Sequence, residues 1–81
     1  MNLYEVLFTV TDLNAEYEIE GRAHVVADSK NSATGTVEMY VDTHYKQYVW
    51  QDYDTEVLEL GVDEKEGWLD FDINHDKRNP T

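Results

Sequence analysis

The sequence predicts an α+β fold in which an antiparallel sheet of about four strands carries one helix on one face, in the order β-β-α-β-β. Three observations predict it. Apolar and polar residues alternate in the first third of the chain, apolar residues recur at steps of three or four in the middle, and the alternation then returns. A half-buried sheet and one amphipathic helix make a two-layer domain. Since 81 residues allow one such domain, we expect it over residues 1–73, followed by a polar tail over 74–81.

The first two strands are expected to form a hairpin around the turn residues 12–15. In the second strand, the charged residues and His24 fall on one side and the small or apolar residues on the other. The residues expected to point inward from the hairpin are Tyr4, Val6, Phe8, Val10, Ile19, Gly21, Ala23, Val25 and Ala27. A glycine inside a strand is typical of a bulge, so we expect one at Gly21.

The middle of the chain predicts a helix that begins after Asp28 and Ser29, because both residue types cap helix N-termini. Gly35 and the nearby threonines lower the intrinsic helix propensity of this segment. The predicted apolar stripe of the helix consists of Ala33, Val37, Tyr40, Val41, His44 and Tyr48.

The last two strands are expected to be joined by a hairpin loop over residues 63–67, in which Gly67 adopts a positive φ. The alternation that resumes at Val49 changes parity after Val57, which predicts a bulge or chain break near residues 55–57. In the final strand, Leu69, Phe71 and Ile73 are expected to point inward, and the alternate residues outward.

Negative charge is the most unusual property of the sequence. Eighteen acids against six Lys and Arg give a net charge of −12, whereas a small domain is comfortable at a magnitude of roughly 2–8. Residues 52–72 hold nine acids and only Lys65, so this segment carries −8.

Residues on one side of a strand recur every ~6.7 Å, whereas a DNA duplex presents one charge per about 1.7 Å. If the acidic strands are neighbours, three rows of acids, with the loop acids and with Glu18 and Glu20 added, would reach about 2.2 Å per charge.

This acidic segment is the predicted partner-binding region. A basic protein surface is its natural complement, while nucleic acid and anionic membranes are excluded because binding to them depends on Lys and Arg. Trp and Tyr beside charge are typical anchors of protein interfaces, and the parity of Trp68 predicts that it is exposed. The predicted partner-binding residues are Asp52, Asp54, Glu56, Glu59, Asp63, Glu64, Glu66, Asp70, Asp72, Trp50, Tyr53 and Trp68.

Catalytic and metal motifs are not found in the sequence, so we expect no enzyme, cofactor or metal site. There is no cysteine, glycine-rich loop or nucleophile elbow. Residues 70–74 begin like a calcium loop, but His75 stands where that loop requires glycine. The three histidines are far apart in sequence. No apolar run approaches the roughly 20 residues of a membrane span, and no signal peptide is seen, so we expect a cytoplasmic protein.

In its size, lack of cysteine, net charge of −12 and grouping of acids at 52–56 and 70–72, the chain resembles the small acidic inhibitors of phages and mobile elements. These include DNA-mimic anti-restriction and anti-CRISPR proteins. The resemblance implies an inhibitor that occupies the basic nucleic-acid channel of a host defence complex. It rests on size, charge and composition, and it assigns no residue a role.

Two other interpretations of the acidic segment stay open beside that of an inhibitor. A charged face commonly serves only to keep a small protein soluble. The chain would then be an accessory or structural subunit, such as a homodimer formed through a free sheet edge. A modest divalent-cation binder is the third interpretation, since clustered carboxylates attract such ions.

Overall fold

The structure, a computed structural model, describes residues 1–15 and 17–73 and confirms the predicted α+β fold. The elements are β1 (Asn2–Asp12), β2 (Tyr17–Ala27), α1 (Lys30–His44), β3 (Tyr48–Glu59) and β4 (Leu69–Ile73). The strands are antiparallel and lie in the order β3-β1-β2-β4, so the long β1-β2 hairpin has one strand on each side. The polar tail predicted over 74–81 lies outside the described residues.

The core lies between α1 and one face of the sheet. Every second residue of β1 is buried there, and β2 contributes the residues that the alternation predicted. From α1 the fully buried side chains are Ala33, Val37 and Val41. Burying a Val or Ile side chain contributes roughly 1.5–3 kcal/mol, so this one apolar layer holds helix and sheet together. The hydroxyl oxygens of Thr34 and Thr55, 2.6 Å apart, add a polar link between α1 and β3.

Gly21 does not form the predicted bulge, because the pairing of β1 with β2 is unbroken through Gly21 and Phe8. A Cβ atom at Gly21 would overlap the ring of Phe8, which lies across the glycine. That ring stacks on Trp50 from β3 and on Phe71 from β4, with centroid distances of 5.1 and 5.5 Å. The glycine is therefore a packing feature: it leaves room for an aromatic row that crosses the sheet.

The helix begins as predicted and ends earlier than predicted. The hydroxyl of Ser29 accepts a hydrogen bond from the Ser32 N–H at 3.1 Å, which caps the first turn. At the other end, the chain leaves the helix at Tyr45, whose φ of −134° is not helical. The assignment of Tyr48 to the helical stripe is therefore wrong. Tyr48 is buried as the first residue of β3, opposite Asp12, and its spacing from His44 matched the helical period by coincidence.

Two bulges shape β3. The pairing with β1 skips Leu58, next to the predicted irregularity at residues 55–57, and also skips Gln51, which was not predicted. Each extra residue resets which side of the sheet the following residues face. Between the two bulges, residues 52–57 pair regularly with β1.

The hairpin predicted around residues 63–67 is wrong, because β3 and β4 lie at opposite edges of the sheet. The connecting segment 60–68 instead crosses the ends of β1 and β2. The Val62 N–H donates to the Met1 carbonyl at 2.9 Å, and the Gly67 N–H donates to the Val26 carbonyl at 2.8 Å. Gly67 has the expected positive φ, 89°. Turn chemistry thus identified a turn correctly, but β4 pairs with the free edge of β2 and not with the outer edge of β3.

Candidate functional site: an acidic open face of the sheet

The face of the sheet opposite α1 carries nine of the chain's 18 acidic residues; we call it the open face. It follows from the strand alternation, because residues that alternate with the core point away from the helix. The segment 60–68 covers only its end at Val26, which is fully buried. The basic side chains on this face include Arg22 and His24. Its acids are Glu5, Glu18, Glu20, Asp52, Asp54, Glu56, Glu59, Asp70 and Asp72.

The strand order determines how the acidic rows are spaced. Neighbouring strands are about 4.8 Å apart, so the acids of β3 and those of β4 lie about 14 Å from each other across the sheet. One row across the sheet is Glu56, Glu5, His24 and Asp70. A spacing of about 2.2 Å per charge would require the acidic strands to lie side by side. In the structure, β3 and β4 are not neighbours, so this condition is not met.

The charge density of the open face can be worked from this register. Glu59 lies opposite Leu3 and Glu18 opposite Thr11, so the acids extend over nine residues of β1, which are eight steps of about 3.4 Å and span about 27 Å. Among the described residues of this face, nine carboxylates and Arg22 leave a net of −8, or one charge per about 3.4 Å. That value equals the charge spacing of one DNA strand, about 3.4 Å, and is half the density of a duplex.

Repulsion within the open face is only partly relieved. Glu5 and Glu56 are directly opposite each other on β1 and β3, an arrangement that destabilises a sheet. On its other side Glu5 contacts His24, with 3.2 Å between the carboxylate oxygen and Nε2. The predicted acids of β3 and β4 are all exposed. The face thus keeps its charge accessible despite the cost to the folded state.

The centre of the open face is less polar than its margins. Leu7, 43% exposed, lies between Asp54 and Arg22 in the row across the sheet. Beside it is a shallow depression of about 300 Å³ over Gly21, with Thr9, Glu20 and Asp52 in its lining. An apolar centre within a charged margin is the usual anatomy of a protein interface.

Two of the three predicted aromatic anchors do not lie on the open face with the acids. Trp50 and Tyr53 are on the helix side of the sheet, their ring centroids 6.2 Å apart. Trp50 is half-buried because it stacks on Phe8, whereas Tyr53 is 55% exposed. Trp68 is exposed as predicted, at the end of the open face where residues 60–68 cross.

The predicted acids outside the strands extend this end of the face. Asp63 and Glu64 line a cavity of about 400 Å³ with Leu3, Val26 and Trp68, and Glu66 is exposed in the same segment. The structure therefore brings Trp68 together with loop acids, and it separates Trp50 and Tyr53 from the open face.

Sequence analysis did not select Glu5 and Leu7 as binding residues. Both belong to β1, which holds few acids, whereas the prediction rested on the concentration of acids in residues 52–72. The signal that would have found them is their parity: Glu5, Leu7 and Thr9 alternate with the buried residues of β1 and must share its outward side.

Clusters of metal ligands and membrane-spanning helices are both absent from the described part of the chain. Residues 1–15 and 17–73 contain no group of three His, Cys, Asp or Glu side chains arranged to hold a metal ion. The single described helix is too short and too polar to cross a membrane. Comparison with protein-family models, curated proteins and solved structures finds no significant match to this chain.

Proposed function

We propose that this protein is a non-enzymatic interaction protein that inhibits a basic nucleic-acid-binding protein by occupying its nucleic-acid site with the open face. One observation carries the proposal: nine carboxylates project from one sheet face at about 3.4 Å per net charge, the spacing of a single nucleic-acid strand. A channel whose Lys and Arg side chains receive one strand would meet a similar charge on this face. The resemblance to DNA-mimic inhibitors of phages and mobile elements points in the same direction.

The apolar centre of the open face favours a protein partner over simple ions. Leu7 offers contact area that a hydrated cation cannot use, and the surrounding acids would select a basic surface. Charge would then mainly set the encounter rate and the choice of partner, while Leu7 and its neighbours would set the lifetime of the complex.

Competition at constant ionic strength tests the proposal. Proteins captured from a host lysate on the immobilised chain should be released by a single-stranded oligonucleotide, and less readily by a duplex with the same number of phosphates. The matched bait is a variant with Asp52, Asp54, Asp70 and Asp72 changed to Asn, which should capture far less. If captured proteins resist release by either oligonucleotide, mimicry of nucleic acid is wrong.

A homodimeric accessory subunit is the second candidate, favoured by an apolar group near the end of β3. Leu58 and Leu60 are 51% and 73% exposed, and Trp68 is exposed as well. Pairing two β3 edges would oppose acid to acid, so a dimer would use this apolar end instead. Sedimentation at micromolar concentration distinguishes the candidates: a dimer abolished by Leu60→Ser would favour the accessory subunit.

A further inference from the structure

The outer edge of β3 is an unusual edge strand. β3 has 12 residues, against five in β4, and it forms one margin of the sheet, where β1 is its only partner among the strands of residues 1–15 and 17–73. Proteins commonly protect edges by keeping them short, because a free edge accepts another strand. Here the regular stretch of residues 52–57 between the two bulges is about 20 Å long. It is long enough to pair with an added strand.

Carboxylates flank this edge on both sides of the sheet. Asp52, Asp54 and Glu56 project on the open face. On the helix side, α1 and β3 border a groove of about 360 Å³ that lies just before this stretch, lined from β3 by Tyr48 and Trp50 and from α1 by residues that include Glu38 and Asp42. Side chains of a strand added at this edge would alternate between the two sides. On either side, a lysine or arginine would find an acid.

The acids of α1 oppose the stability of their own helix. Asp42 lies in the last turn, where the helix dipole disfavours negative charge. Glu38 stands four residues before it, and like charges at that spacing also destabilise a helix. A cationic side chain in the groove would relieve both repulsions.

Charge also decides against a second copy of this chain as the occupant. An antiparallel copy of β3 would place Asp and Glu opposite Asp and Glu, which destabilises the pairing. Exposed apolar side chains on the same stretch, Tyr53 and Val57, are still available for cross-strand contacts with a different strand. The edge thus rejects its own copies while remaining able to accept a basic segment.

We propose that residues 52–57 of β3 accept an extended, lysine- and arginine-rich segment of the partner protein as a fifth strand. Backbone hydrogen bonds to the edge would supply affinity, and the acids on the two sides would supply selectivity. This inference rests on the proposed function for the identity of the partner as a basic protein. The edge itself can be examined with peptides alone.

The probe is a blocked eight-residue peptide with the sequence Lys-Lys-Val-Val repeated twice, which places lysines on both sides of an added strand. Its control is the same peptide N-methylated at every residue, which keeps the charge but removes the backbone donors. Fluorescence anisotropy at low salt should show at least about tenfold weaker binding of the control, since several hydrogen bonds are lost. Amide hydrogen exchange in residues 52–57 should slow on adding the unmodified peptide, while exchange in β2 stays unchanged.

A pair of matched protein variants distinguishes binding at the β3 edge from general electrostatic attraction to the acidic protein. Glu38→Gln with Asp42→Asn should weaken binding of the unmodified peptide by about two- to thirtyfold, as expected for the loss of two exposed ion pairs. Glu64→Gln with Glu66→Gln removes the same charge from the crossing segment and should change it less than about twofold.

Equal binding of the two peptides, or equal effects of the two variant pairs, would overturn strand addition. Since these measurements contain no nucleic acid and no partner, such a result would leave the proposed competition with nucleic acid standing. Failure of oligonucleotides to release captured proteins would instead refute the proposed function, whatever the peptides show.

Discussion

Replacing Gly21 by alanine should destabilise the protein, although alanine is normally the better residue inside a strand. A Cβ at this position would overlap the ring of Phe8. The ring cannot simply move aside, because Trp50 and Phe71 stack on it at centroid distances of 5.1 and 5.5 Å. Overpacking a core costs about 1–3 kcal/mol, and replacing a strand glycine recovers about 0.5–1 kcal/mol. We expect a net loss of about 1–2 kcal/mol.

Thermal unfolding followed by circular dichroism measures this loss. One kcal/mol shifts the melting temperature of a domain of this size by about 4–8 °C, so Gly21→Ala should melt roughly 4–16 °C lower. Gly35→Ala is the matched control, since a Cβ at Gly35 meets nothing within 4 Å. This exposed helix position should gain about 0.5–1 kcal/mol from alanine.

The double variant with Phe8→Leu shows whether the ring is the cause. Leucine shortens the side chain that lies across Gly21, so adding Gly21→Ala in that background should cost at least about 1 kcal/mol less than in the parent. If Gly21→Ala costs the same in both backgrounds, or stabilises the parent, the glycine is not kept for the Phe8 ring.

Three further outcomes follow from the structure. Ser29→Ala should lose the cap on Ser32 and about 0.5–2 kcal/mol of stability in urea unfolding, with Asn31→Ala as an uncapped control. Glu56→Gln, which removes the repulsion with Glu5, should raise the unfolding free energy by about 0.2–1 kcal/mol, and a lower value would contradict the cross-strand register. Leu7→Ser should shorten the lifetime of the partner complex in surface plasmon resonance while leaving its association rate within about twofold; an unchanged lifetime would remove Leu7 from the interface.

The parts of this fold that could be predicted from sequence are those that depend on neighbouring residues. Alternation identified the inward residues of β1, β2 and β4, and capping chemistry located Ser29. The bulge at Gln51 left one local sign that was not used: Gln51 and Asp52 are adjacent polar residues between two aromatic ones. Such a pair breaks strict alternation and indicates an extra residue.

Strand order could not be predicted because it depends on contacts between distant parts of the chain. The turn at residues 63–67 is compatible with a hairpin and equally with a crossing over the ends of β1 and β2. The structure has the crossing, in which β4 pairs with the free edge of β2 and Phe71 stacks on Phe8. This choice also sets the candidate site, since it places Asp70 and Asp72 about 14 Å from the acids of β3.

The placement of the acids favours a binding role over solubility alone. Solubility depends on net charge, which any exposed positions could provide. In this chain, however, half of the 18 acids project from one face of the sheet, where Glu5 and Glu56 repel each other at close range. An even distribution would give the same net charge with less repulsion. If solubility were the sole role, removing acids from the open face and removing the same number from residues 63–66 would lower the solubility of the chain equally. If the open face binds a partner, only the first change should slow association with that partner, while it stabilises the fold.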